Sequence, residues 1–301
     1  MKSKSTKYTV CKAILTVALL AGWCVPASAQ LDPLGAQYFN NQYLGNPALA
    51  GYGQGLKINA GYRQQWSKIP GSPELQNVTL DYGFNKVGLG LNILNDKTGL
   101  QRQSRVVGTY AYHLPINETN QLHFGVSVGF MNQRVDQNEL YGDRDDILVG
   151  RYNDRKTYVD GDFGAAFTSR GLNIQAALPN LKNLFTNDRI RVADVATFYT
   201  AASYKFSISE GGDGIGLEPK VAYRGVKGFD NIWDAGAQMT LANEQVMLMA
   251  LYHSTESATF GIGMDYKRKY LISGIYTTQT SPLTGYSNGN FEINVRMSIG
   301  K

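Results

Sequence analysis

From Gly55 onward the chain repeats one pattern. Apolar and polar residues alternate with a period of two over about ten positions, then a turn intervenes, then the alternation resumes. "LKINAGYRQQW" sets Leu56, Ile58, Ala60, Tyr62 and Trp66 on one face and Lys57, Asn59, Gly61, Arg63 and Gln65 on the other. "NVTLDYGF" does the same with Val78, Leu80, Tyr82 and Phe84, and "KVGLGLNI" with Val87, Leu89, Leu91 and Ile93. "LHFGVSVGFMN", "TFYTAASYKFSI", "GIGLEPKVAYRG", "SATFGIGMDYKR" and "FEINVRMSIGK" follow suit. Weaker alternation runs near 102–114, 157–168, 170–178, 230–242, 245–254 and 268–278, which brings the count to fourteen segments.

The length of the alternation decides the fold class. Strands of water-soluble sandwiches usually run ~5–6 residues, whereas a strand crossing a bilayer needs ~9–11. Hydrocarbon leaves no backbone group unpaired, and a closed barrel meets that demand without an edge. Aromatic residues gather near segment ends (Trp66, Phe84, Tyr112, Phe130, Tyr204, Tyr223, Tyr266 and Tyr270), where interfacial girdles place them. The pattern therefore predicts an all-β, transmembrane, antiparallel β-barrel of about fourteen strands in contact with outer-membrane lipid. Tight turns are expected at 84–87, 168–171 and 241–245, and longer connections at 67–74, 136–157 and 179–194. No internal repeat or second domain is evident.

The N-terminus changes the composition. Lys2, Lys4, Lys7 and Lys12 precede the apolar run "AILTVALLAGW", and Ala27 and Ala29 offer a small-residue cleavage signal before Gln30. Residues 1–29 are thus expected to be a signal peptide, cleaved on export. A lipoprotein at Cys24 is the alternative, but Trp23 stands where a small residue belongs. Without the leader, 25 basic residues balance 24 acidic ones, so the basic pI of the whole chain marks targeting and not nucleic-acid binding. Both cysteines, Cys11 and Cys24, fall in the leader, which leaves no disulfide or thiol chemistry in the mature chain. The expected organisation is a leader over 1–29, an N-terminal segment over 30–54 and the barrel over 55–301.

Candidate chemistry is sparse. His113, His123 and His253 each sit in a predicted strand, none in metalloprotease spacing, and read as hydrogen-bonded lumenal or interfacial histidines. "GLGLNILND" lacks the helix that a dinucleotide fingerprint requires, so its glycines read as lumen-facing. Asp143, Asp145 and Asp146 cluster without calcium-loop spacing. No G-x-S-x-G occurs. No cofactor or metal is expected.

Several ordered pieces carry a family likeness. They are Asn46–Gly51 ("NPALAG"), Tyr62–Trp66 ("YRQQW"), Pro70–Pro73 ("PGSP"), Gly88–Asp96 and "AYHL" at Ala111–Leu114. In this order and spacing the chain resembles the PorP/SprF family of outer-membrane proteins, which belongs to the type IX secretion system and its gliding-motility branch. The match is tightest over roughly the first hundred mature residues and looser beyond residue 150. One departure is the ending "RMSIGK", which lacks the terminal aromatic of ordinary porins. The resemblance implies a non-enzymatic barrel in the outer membrane of a Gram-negative bacterium. It also implies periplasmic ring components of the secretion system and large secreted adhesin-type clients as partners. A passive channel or hydrophobic-solute transporter is the alternative, and a barrel-borne hydrolase a third reading.

The segment "YFNNQYLGNPALAGYG" is too polar for a core helix and too broken for a strand. Asn46 can cap a short helical turn, Pro47 fits its first position and Gly51 can end it. Phe39 and Tyr43 stand four apart and are expected to share one side of a helical stretch. Residues 31–53 are therefore expected to plug the lumen or periplasmic mouth, or to present a docking surface to the ring. A bare tether is the other reading. Arg63, Trp66, Pro70 and Gly71 join the candidate partner or plug residues, with a merely structured turn as their alternative.

Overall fold

The computed structural model describes residues 35–68, 70–136, 153, 157–182, 196–208, 214–226, 230–278 and 288–300. Among them the strands are β1 (Gly55–Gln65), β2 (Glu74–Phe84), β3 (Val87–Thr98), β4 (Gln101–Pro115), β5 (Asn120–Val135), β6 (Tyr158–Ser169), β7 (Leu172–Leu178), β8 (Ala196–Tyr204), β9 (Phe206–Ser207), β10 (Gly216–Val226), β11 (Ile232–Leu241), β12 (Val246–His253), β13 (Ser257–Tyr266), β14 (Tyr270–Thr277) and β15 (Asn290–Ile299). The two-residue β9 continues β8 past Lys205, and both pair with β10, so the described wall has fourteen strands. Every pairing is antiparallel between sequence neighbours, and β15 pairs with β1 from Leu56↔Ile299 to Gln65↔Asn290. That last pairing closes the sheet and leaves no edge. The fourteen alternating segments of the sequence are these fourteen wall strands.

The barrel is inside out relative to a water-soluble protein. Val128, Ile262 and Met264 are 61–63% exposed, while Thr79, Asp234 and Thr259 are 0% exposed. The alternation places the first set toward lipid and the second in the lumen. No helix of the described residues is long and apolar enough to cross a membrane; the strands do the crossing. β1 begins and β15 ends at one rim, which also carries the short turns 85–86, 116–119, 170–171, 242–245 and 267–269. The opposite rim carries the longer connections 66–73, 136–157, 179–195 and 278–289. Long loops of bacterial barrels face outward, so the rim of Gly55 is the periplasmic one. The expected leader over 1–29, the cluster Asp143, Asp145 and Asp146, and most of the two longest connections lie outside the described residues.

Candidate functional site

Three single 3-10 turns, Gly35–Tyr38, Gln42–Leu44 and Pro47–Leu49, precede β1. Elements this short do not hold themselves together in water; their local signals only shape them. The Asn46 side chain caps the third turn, its Oδ1 accepting from the Ala48 N–H at 3.0 Å, with Pro47 at the first position. Gly51 follows with φ +69°, a left-handed backbone that suits glycine. The chain changes direction between turns, which corrects one expectation: Phe39 and Tyr43 do not share a helical face. Phe39 packs with Ala36 and Tyr38 on an inward apolar patch that includes Tyr199, Met249, Leu251 and Ile275. The Lys220 ammonium donates to the Tyr38 carbonyl and lies 5.3 Å from the Phe39 ring centroid. Tyr43 goes instead to the β4 wall, where its hydroxyl is 2.8 Å from Thr109 Oγ1. Burial holds the Tyr43 phenol above its ordinary range, so it stays neutral there.

The wall meets this segment with complementary groups. Glu292 Oε1 accepts from the Ala36 N–H at 3.0 Å and from Asn294 Nδ2 at 2.8 Å, and Glu292 pairs with Arg63 at 3.8 Å. Asn41 Nδ2 donates to Thr79 Oγ1 at 3.1 Å, and Asn46 Nδ2 to the Ala165 carbonyl at 3.2 Å. The Gly51 N–H donates to Asp81 Oδ2 at 3.0 Å. Two inward glycines make room: a Cβ on Gly88 would run into the Ala50 carbonyl, and one on Gly125 into the Pro47 carbonyl. Of the lumen-facing glycines in "GLGLNILND", Gly88 thus seats backbone, while a Cβ on Gly90 would run into the Tyr43 ring and hydroxyl, a reason that strand propensity alone does not give.

All three histidines point inward. His113 and His123 are cross-strand partners with their Nδ1 atoms 2.8 Å apart. His113 Nε2 lies 3.1 Å from the Ala50 carbonyl, and His123 Nε2 lies 2.9 Å from Thr168 Oγ1. The carbonyl can only accept, so His113 Nε2 carries a proton, its Nδ1 accepts from His123, and His123 Nε2 accepts from the Thr168 hydroxyl. His113→Phe, which removes the donor to the Ala50 carbonyl, is expected to raise hydrogen exchange at Ala50 and Tyr52 roughly two- to tenfold over the intact chain at the same pH, the size of one lost hydrogen bond. His113→Gln, which keeps a donor for Ala50, should restore most of the protection; equal exchange in all three proteins would mean that this contact does not hold the turn.

Of the sequence-proposed residues, the structure brings Phe39, Tyr43, Asn46, Pro47, Gly51 and Arg63 together in the lumen. Trp66, Pro70 and Gly71 stand apart, in the β1–β2 turn of the outer rim. Trp66 has φ +49°, and the Gly71 carbonyl accepts from the Gly99 N–H at 3.0 Å. Sequence reasoning missed Asp81, Glu292 and Lys220, legible only as inward strand positions, and Tyr38, which ends the first turn of the N-terminal segment. Elsewhere in the lumen, Asp234 is 2.7 Å from His253 Nδ1 and 3.3 Å from Arg224 Nε, all three buried. His253 Nε2 lies 2.7 Å from Thr259 Oγ1. The Thr259 hydroxyl at the end of this network is 0% exposed, and no group of three metal-ligating side chains occurs among the described residues.

In the outer half of the barrel, above Tyr43–Pro47, lies a cavity of about 230 Å³. Asn92, Leu94, Arg105 and Val107 line its β3–β4 side, and Tyr199 and Arg224 its β8–β10 side. Arg105 Nη2 is 2.7 Å from Asp162 Oδ1.

A closed antiparallel wall with a lipid-facing apolar exterior and a polar interior defines an outer-membrane β-barrel. The chain belongs to the PorP/SprF family of type IX secretion system membrane proteins, whose family model matches residues 27–297. It is thus an outer-membrane component of that secretion system. No curated protein matches it. Among solved structures it is similar to the CymD monoaromatic hydrocarbon channel at 12% identity, covering 92% of this chain and 95% of that one, with a TM-score of 0.52. It is also similar to the Ralstonia pickettii toluene transporter TbuX at 11% identity, over 86% and 94% of the chains, with a TM-score of 0.51. The Acinetobacter baumannii outer membrane protein Omp33 follows at 7% identity, over 83% and 100%, with a TM-score of 0.50. At such identities the likeness is one of fold.

Proposed function

We propose that this barrel is a non-enzymatic, self-plugged component of type IX secretion that assists export or surface attachment of large adhesin-type clients. Residues 35–54 act as the plug, and the periplasmic rim beside them is where the ring components dock. The observation that supports the reading is the seating of Pro47–Gly51 on Gly88, Gly125 and Asp81. A conduit for solutes gains nothing from a segment fitted so closely to its own wall. A secretion component gains a sealed membrane and a shaped periplasmic face. The hydrocarbon channels share the fold, but 11–12% identity carries no substrate across.

Chromosomal deletion of residues 35–53 tests this. The barrel should remain in the outer membrane at normal levels, while surface adhesins disappear and co-purification of ring components falls. Normal adhesin display at normal barrel levels ends both the plug and the docking roles.

A further inference from the structure

At the periplasmic rim, the turn between β13 and β14 reads "YKRKY". Lys267, Arg268 and Lys269 stand between Tyr266 and Tyr270, and all five are exposed. The turns 85–86, 116–119, 170–171 and 242–245 of the same rim carry at most one cation each. Arg268 is engaged by Glu244, with 3.7 Å from Nη2 to Oε2, and Glu244 also accepts from the Lys205 ammonium. Lys267 and Lys269 meet no carboxylate among the described residues. Each leans on a tyrosine instead. Lys267 Nζ lies 5.2 Å from the Tyr266 ring centroid, and Lys269 Nζ 5.4 Å from that of Tyr270. Lys267 and Arg268 hold the turn at φ +55° and +56°, a left-handed backbone that Asn or Gly adopts with less strain. The turn keeps its cations in spite of that strain.

The wall above the turn is shaped as well. Tyr266 pairs with Tyr270, Met264 with Ile272, and Ile262 with Gly274. Met264, Ile262 and Ile272 are 59–63% exposed, so this strip faces lipid. Gly274 interrupts it: a Cβ there would meet nothing within 4 Å. Ile262 on β13 and Ile293 on β15 flank the gap. The gap lies ~13 Å along the strand from Tyr270, within half of a ~30 Å hydrocarbon core. Tyrosines of this kind mark headgroup level, and lysines beside them reach the phosphates. A basic pair at the interface and an apolar notch one leaflet deep match the two ends of a phospholipid. An acidic protein surface would answer the charge but leaves the notch without a use.

We propose that the β13–β14 turn and the strip above it bind one anionic phospholipid of the periplasmic leaflet, its phosphate between Lys267 and Lys269 and an acyl chain over Ile272 and Gly274. This is a selected, retained lipid, distinct from the unselective shell around any barrel. Two ammoniums favour a headgroup of net negative charge over a zwitterionic one, whose own amine repels them. The site is independent of the plug and of the secretion reading.

The test reconstitutes the full chain in vesicles of equal parts phosphatidylethanolamine and phosphatidylglycerol with matched acyl chains. Native mass spectrometry then reads which lipids stay on the barrel after mild detergent release. The intact chain should retain phosphatidylglycerol over phosphatidylethanolamine by roughly tenfold. Lys267→Gln with Lys269→Gln should bring that ratio close to unity, whereas Arg170→Gln, across the rim, should leave it unchanged. Gly274→Leu fills the notch and should cut retained phosphatidylglycerol severalfold with the turn intact. The substituted side chains lie outside the barrel interior, and heat-modifiable migration checks that each variant is folded. A ratio near unity for the intact chain overturns the site, and so does a preference that survives the double substitution. Full retention in Gly274→Leu overturns the placement of the acyl chain. An acidic periplasmic protein crosslinked to these lysines in native membranes, with no lipid preference in vesicles, overturns the lipid in favour of that partner.

Discussion

A barrel lacking residues 35–53 is expected to conduct ions at least roughly tenfold better than the intact chain in planar bilayers. A fourteen-stranded wall encloses more space than the eight-stranded kind that side chains alone can fill, and residues 36–51 lie against its inner face. The removed stretch supplies Tyr38, Asn46 and Ala48, each 0% exposed, so its loss empties buried volume and not surface. The wall does not depend on it for pairing, because β1 keeps both neighbours, β2 and β15. A subtler variant asks the same question without deletion. Gly125→Val drives a side chain into the Pro47 carbonyl, a clash of the size that costs about 1–3 kcal/mol in packed interiors. It should raise conductance in part and loosen exchange at Ala50 and Tyr52. Equal conductance for the intact and deleted chains would mean that the segment does not seal the lumen.

The second large effect concerns stability. Asp234→Leu should lower the free energy of unfolding from lipid by about 3–5 kcal/mol, because it removes the buried carboxylate that pairs with the Arg224 guanidinium and with His253 Nδ1. Asp234 is 0% exposed and Arg224 6%, so water does little to replace the lost ion pair. Replacing the pair together, Asp234→Leu with Arg224→Met, should recover much of the loss, since the charge goes with its partner. Denaturant titration of the three proteins in bilayers reads the comparison directly. A double variant as unstable as Asp234→Leu alone would place the cost in packing and not in charge.

Much of the barrel was legible because lipid imposes a period of two on every strand it touches. Val126, Val128 and Phe130 alternate with Gly125, Ser127 and Gly129, and the register to β4 and β6 follows that alternation. Where the sequence alternates poorly, the structure supplies the reason. "VMLMALYH" and "YLISGIYT" are apolar on both faces, since Met249, Leu251, Leu271 and Ile275 point into the lumen. Three of the four meet Ala36, Tyr38 and Phe39 there. A weak strand signal was thus the imprint of a second apolar surface, not of a doubtful strand.

The N-terminal segment divides along the same line. Its local chemistry, the Asn46 cap, Pro47 in the first position and Gly51 at the close, is written within six residues and needs nothing else. Its path is not. Three turns of three or four residues have no axis of their own, so which wall each meets is decided by groups far along the chain. Glu292 holds Ala36 across 256 positions, and Lys220 holds the Tyr38 carbonyl across 182. Nor does any spacing in the sequence pair His113 with His123 and aim them at Ala50. The sequence alone determined the wall, its inward and outward faces and the caps of the turns, because lipid and local backbone geometry act over a few residues. Only the tertiary structure decided which inward groups meet the N-terminal turns and one another, because barrel closure alone sets which inward side chains face one another.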